Sequence, residues 1–219
     1  MRKIYYSFNN QPFGYSNSYG SLRGLKFGRI ELQHIIISLL VLTFAFAFAL
    51  APSPPIAFIS SAVSNIPIAF LAIVTAFFCH ELAHKYMGQK YGYMSEFRMF
   101  PMGLLLALFL GVFAGFVFAA PGAVQIIGRP SREEEGRISV AGPFINLIIS
   151  GIFVLIWLFS VGLVAQISFF IAYINVFIAI FNLIPFGPLD GWKIFSWKKD
   201  VWGLLLATSI CLIIFLSLG

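Results

Sequence analysis

The chain has 219 residues, 60% of them hydrophobic and only 10% charged, with a formal net charge of +6. Soluble domains carry about a quarter charged residues, so this composition excludes a soluble globular fold. It predicts an all-α, polytopic transmembrane bundle of about five to six spans, made as one domain. The positive charges cluster beside apolar runs, as in Arg23, Lys26 and Arg29 or Lys193, Lys198 and Lys199. Short basic loops of this kind mark the cytoplasmic face of a membrane protein, and no nucleic-acid partner is expected.

Residues 1–29 are too polar for a secretory signal and read as a cytoplasmic or interfacial tail; residues 30–219 form the membrane-embedded core. The first apolar run, 30–51, is closed by Pro52, Pro54 and Pro55. The second, 56–87, is too long for one straight span, and Pro67 marks the expected start of its helix. Lys85 and Lys90 follow as loop charges, and Glu96 falls in a polar turn. The third run, 101–120, contains Gly103, Gly111 and Gly115. A polar loop comes next, with Glu133, Glu134 and Glu135 read as solvated. Runs at 138–161, 164–184 and 201–218 complete the chain. Cys79 and Cys211 are the only cysteines. They form no CxxC site, and Cys79 reads as a small core residue despite its neighbour His80.

His80-Glu81-Leu82-Ala83-His84 is an HExxH motif. Positions i and i+4 share one helix face, so both imidazoles can reach one zinc ion. Glu81 then sits beside the metal, placed to take a proton from activated water and return it to a leaving amine. Ionisable groups within a span cost roughly 2.5–3.5 kcal/mol each on insertion scales, so three in one turn call for a function. A catalytic zinc takes a third protein ligand and keeps one position open. Of the remaining acids, Asp190 alone sits in a hydrophobic stretch broken by Pro185, Gly187, Pro188 and Gly191. Such broken backbone is tolerated where it lines a cavity; a plain helix-ending turn is the blander alternative. A zinc site completed from Glu133–Glu135, serving soluble substrates, is the nearest competitor.

The HELAH element, followed by Asn182, Pro185, Leu189, Asp190 and Gly191 in an NxxPxxxLDG pattern, resembles the site-2 protease family of intramembrane zinc proteases. Gly142, Pro143 and Asn146 match that family's intervening GPxxN element. The resemblance spans about 77–191. It implies one zinc ion per chain on His80, His84 and Asp190, with Glu81 as the acid/base. It also implies Asn146, and with it Asn182, as groups that bind substrate or the oxyanion. The expected substrates are membrane proteins with a transmembrane helix, cut within or near the bilayer. The chain leaves no room for the PDZ or CBS domain that many members carry. A membrane metal transporter or a catalytically silent membrane scaffold is the alternative function.

Charge and chemistry together predict a topology. HExxH and Asp190 must meet on the cytoplasmic side, so the chain crosses an even number of times between them. Runs 138–161 and 164–184 supply one crossing each. The 101–120 run is therefore expected to enter the membrane and return, bending at Gly111 or Gly115, as a re-entrant or short β element beside the HExxH helix. Its expected use is to gate entry or to pair with an unwound substrate strand.

Overall fold

A computed structural model describes residues 25–51, 58–117 and 121–218. Most of the N-terminal tail, the Pro52–Pro55 cluster and the end of the third apolar run lie outside the described residues.

The described residues form, in order, eight α-helices and two strands: α1 Arg29–Ala49, α2 Phe58–Ile73, α3 Cys79–Lys90, β1 Met94–Met99, α4 Pro101–Phe113, β2 Gly122–Ile127, α5 Arg132–Leu158, α6 Gly162–Asn182, α7 Asp190–Trp197 and α8 Lys199–Leu218. Among the described residues, five helices are long and apolar enough to cross a membrane: α1, the continuous Phe58–Lys90 helix, α5, α6 and α8. The outward faces are apolar, with Phe113, Leu163, Leu204 and Leu218 largely exposed. Lipid is the solvent that accepts such a surface.

The Phe58–Lys90 helix runs for 33 residues, about 50 Å at 1.5 Å per residue. Pro67 lies inside it rather than at its start. Membrane helices absorb an internal proline because neighbouring groups satisfy the freed backbone. The irregularity falls instead at a π-helical turn, Val74–Phe78, directly before α3 begins at Cys79. Such turns add a residue to the ladder and rotate the helix face beyond them.

Two apolar cores hold the bundle. Leu147, Val154, Val176, Ala179, Ile194 and Leu205 join α5, α6, α7 and α8. Leu42, Ala45, Ile73, Leu104 and Ala107 join α1, α2 and α4. α4 approaches α1 closely at Gly111, where a Cβ would come within 2.3 Å of the Ala45 carbonyl oxygen.

The third apolar run holds, among its described residues, no helix long enough to cross a membrane. Its helix has 13 residues, about 20 Å, and ends in a turn at Gly115, whose φ of +69° suits glycine. β2 then pairs antiparallel with β1, Met99 opposite Gly122. The excursion therefore begins and ends at the same place. Gly115 supplies the bend and Gly111 the packing contact.

Two charge assignments change, and a third group keeps its solvation but moves from a loop into a helix. Lys85 is 1% exposed and bonded to Glu31, so it is no loop charge; Lys90 is exposed. Glu96 lies in β1, buried, and pairs with Arg98. Burial pushes the Glu96 carboxyl above the ordinary carboxylate range, with the Arg98 guanidinium opposing. The Glu133–Glu135 triplet is the first turn of α5, opened by a capping box in which Glu134 N–H donates to Ser131 Oγ and Ser131 N–H to Glu134 Oε2.

Candidate metal centre

α3 carries the two histidines on one face, as their i, i+4 spacing requires. α7 brings the third group. The chain leaves α6 at Asn182, turns through Gly187 at φ +61°, and restarts a helix at Asp190. This turn folds tightly because residue 191 is glycine. A Cβ there would lie 2.2 Å from the Leu183 carbonyl oxygen, which already accepts from Trp202 Nε1 at 2.7 Å.

The result is a buried His80, His84 and Asp190 cluster, the one group of metal-ligating side chains found among the described residues. His80 Nε2 and His84 Nε2 lie 3.0 Å apart. Asp190 Oδ2 is 3.2 Å from the first and 3.0 Å from the second. Two ligands about 2.0–2.1 Å from a tetrahedral zinc stand about 3.3 Å apart, so the spacing suits one ion. Glu133–Glu135 do not join the cluster.

The ring protons explain why a cation belongs there. His84 Nδ1 donates to the Ile138 carbonyl oxygen at 2.8 Å. His80 Nδ1 donates to Asn146 Oδ1 at 2.6 Å. The Asn146 amide is oriented unambiguously, because its Nδ2 donates to the Ala76 carbonyl at 2.9 Å and to Asn175 Oδ1 at 3.0 Å. When neutral, each imidazole therefore keeps its lone pair on Nε2, as metal ligation requires. Two such lone pairs and a carboxylate oxygen converge on one point, a donor set that suits a positive ion.

Gly142 gives a second, steric sign. It lies in α5 opposite the histidines. A Cβ built on it would stand 2.3 Å from His84 Nε2 and 2.5 Å from His80 Nε2. These lengths are close to metal–ligand distances, so the absent side chain leaves the space that an ion needs. The residues fit a bound metal on both counts.

Asn146 is fully buried behind His80 and heads a chain of amides. Asn175 Nδ2 donates to Thr75 Oγ1 at 3.1 Å, and Thr75 Oγ1 donates to the Leu71 carbonyl at 2.8 Å. Thr75 and Ala76 both belong to the π-helical turn. Neither Asn175 nor Thr75 is marked by a motif in the sequence. Their one signal there is polarity inside apolar runs. Asn182 borders the cavity, and its Nδ2 donates to the Ile178 carbonyl at 3.0 Å.

The cluster opens on a cavity of about 1180 Å³. Its walls are apolar at Leu42, Phe46 and Ile73 and polar at Ser139, Asn182 and Lys193. Glu81 lines it as well, and Glu81 Oε2 accepts from Val124 N–H at 2.9 Å. β2 has β1 on one side only among the described residues, and its residues Gly122–Ile126 border the same cavity.

Fold and site together define a multi-pass membrane protein with a buried His/His/Asp centre able to coordinate one metal ion. A protein of Methanocaldococcus jannaschii described as "Putative zinc metalloprotease MJ0611" is 34% identical over 183 residues, 82% of this chain and 91% of its own length. "Putative zinc metalloprotease YwhC" of Bacillus subtilis is 31% identical over 162 residues, 63% of this chain and 71% of its own. "Zinc metalloprotease MJ0392", also of M. jannaschii, is 27% identical over 129 residues, 33% of its own length. The chain belongs to the family of zinc metalloproteases that these relatives represent. No protein-family model matches it, and no solved structure does.

Proposed function

We propose that the protein is an intramembrane zinc metalloprotease of the site-2 type, which hydrolyses peptide bonds of membrane proteins with a transmembrane helix. The observation that carries this reading is the cluster of two Nε2 lone pairs and Asp190 Oδ2, buried in a bundle of apolar helices and open to a cavity. His80, His84 and Asp190 would hold the ion, one Zn2+ per chain. Zinc bound there would supply Lewis-acid chemistry for polarising a carbonyl and activating water. Glu81, at the cavity wall, would take a proton from the attacking water and deliver it to the leaving amine. Asn146 fixes the His80 tautomer, and Asn182 borders the space that the substrate enters. A helical peptide bond is shielded by its own hydrogen bonds, so the substrate unwinds; β2 offers it an edge strand at the cavity wall. Cleavage of a single-span substrate by purified protein in detergent, with loss on chelation and recovery with zinc, tests this. Chelator-resistant cleavage or none with zinc restored would overturn it.

The third ligand has its own test. Asp190→Asn withdraws the anionic oxygen at nearly constant size. It should lower zinc affinity by well over the roughly 10–100-fold typical of lost supporting partners and remove activity. Full zinc occupancy with full turnover would exclude Asp190.

Orientation is a matter of parity. The pairing of β1 with β2 supports a 100–121 segment that returns to its starting side, with α5 and α6 as the two crossings between HExxH and Asp190. The positive-inside tendency favours the cytoplasm for the basic segment ahead of α1, and the proposed active site would face the same side. The β2–α5 loop reports on this. Ser131 is occupied as the α5 cap, so the reporter belongs at exposed Arg129. Arg129→Cys, with Cys79 and Cys211 replaced, should react with a membrane-impermeant thiol reagent from the cytoplasmic face alone. Labelling from outside would reverse the assignment.

A further inference from the structure

The ion pair between Lys85 and Glu31 is used by nothing in the proposed chemistry. Both side chains are fully buried, at 1% and 0% exposure. Lys85 Nζ donates to Glu31 Oε1 at 2.7 Å, to Glu31 Oε2 at 2.9 Å and to the Ser95 carbonyl at 2.7 Å. Glu31 also accepts from Phe97 N–H at 2.9 Å and from Gly28 N–H at 3.1 Å. The pair thus binds the start of α1, the HExxH helix and β1 in one knot. Removing charges from water is expensive, and such a pair persists where its hydrogen bonds are complete.

What it holds is the hairpin. Phe97 and Val124 face each other across the sheet. Phe97 N–H points out of one edge to Glu31, and Val124 N–H points out of the other to Glu81. One rung of the ladder is thus suspended between two glutamates. Lys85 lies four residues after Glu81, one turn on along the same face of α3.

We propose that Lys85 and Glu31 are positioning residues for catalysis: through the Phe97–Val124 rung they set where β2 stands and so how Glu81 is presented to the substrate. This rests on the protease function proposed above. The pair's hydrogen bonds go to Gly28, Ser95 and Phe97 and none to the metal cluster, so metal binding is expected to survive its loss. A misplacement of about 1 Å at a reacting group can cost on the order of 10²-fold in rate.

The test uses the full chain carrying Glu31→Gln and Lys85→Met together, since replacing both partners is tolerated better than stripping one. Zinc content should stay stoichiometric. Amide exchange in β2 should quicken, and kcat should fall by at least about tenfold at temperatures well below unfolding. Val124→Pro removes the N–H that reaches Glu81, an outward-facing position at which a strand edge accepts proline. Added to the double variant, it should cost little more than either alone. If the double variant does not fold, Glu31→Gln alone must show the same pattern at smaller amplitude. Zinc-loaded variants with unchanged exchange and unchanged kcat, or losses that multiply with Val124→Pro, would overturn the proposal. Faster β2 exchange in a protein whose wild type cleaves nothing would instead refute the protease reading and leave the mechanical coupling standing.

Discussion

Glu81→Gln should abolish peptide cleavage and leave the metal in place. Glu81 stands outside the cluster of ligand atoms formed by His80, His84 and Asp190, yet lines the same cavity. Glutamine keeps an oxygen that can accept from Val124 N–H, so the hairpin contact survives. What disappears is the capacity to carry a proton, a contribution worth about 10²–10⁴-fold. Metal analysis of the purified variant and mass spectrometry of the products separate the outcomes. Ordinary turnover would remove Glu81 from the chemistry, and loss of the metal would make it a ligand.

The parts legible in the sequence were those written in contiguous residues. The apolar runs at 30–51, 164–184 and 201–218 match α1, α6 and α8 within about two residues at each end, because lipid selects length and hydrophobicity directly. α5 begins earlier than its apolar run, at Arg132. Its start was written in another code, Ser131 with Glu134 three residues on, which belongs to helix capping and not to lipid. The cluster able to hold a metal was legible because HExxH places two histidines on one face, and Asp190 stands where prolines and glycines break a helix.

Contacts between distant segments were not legible. β1 and β2 are separated by the whole of α4, so no turn signal announces their pairing. Lys85 read as a loop charge because its partner, Glu31, lies in another helix. The π-helical turn adds one residue to the ladder without changing composition. Asn175 and Thr75 matter through Asn146 alone, a relation that spacing along the chain does not encode.

The largest structural effect is expected from the smallest change, Gly142→Ala. The added carbon would stand 2.3 Å from His84 Nε2 and 2.5 Å from His80 Nε2, well inside the ordinary contact distance and inside the volume of a metal bound to both. The histidines cannot simply retreat, because their Nδ1 atoms are tied to Asn146 and Ile138. Helix propensity acts in the opposite direction: alanine is favoured over glycine in a helix interior by about 1 kcal/mol. A variant that folds and yet fails to bind metal is therefore the expected result. Wild-type protein should gain thermal stability as zinc is added, by the linkage of binding to folding, about 2.7 kcal/mol at 100 times the dissociation constant. Gly142→Ala should gain almost none and should cleave no substrate, while its helix content matches the wild type's. A zinc-dependent rise in Tm equal to the wild type's would mean that the ion lies elsewhere than between His80, His84 and Asp190.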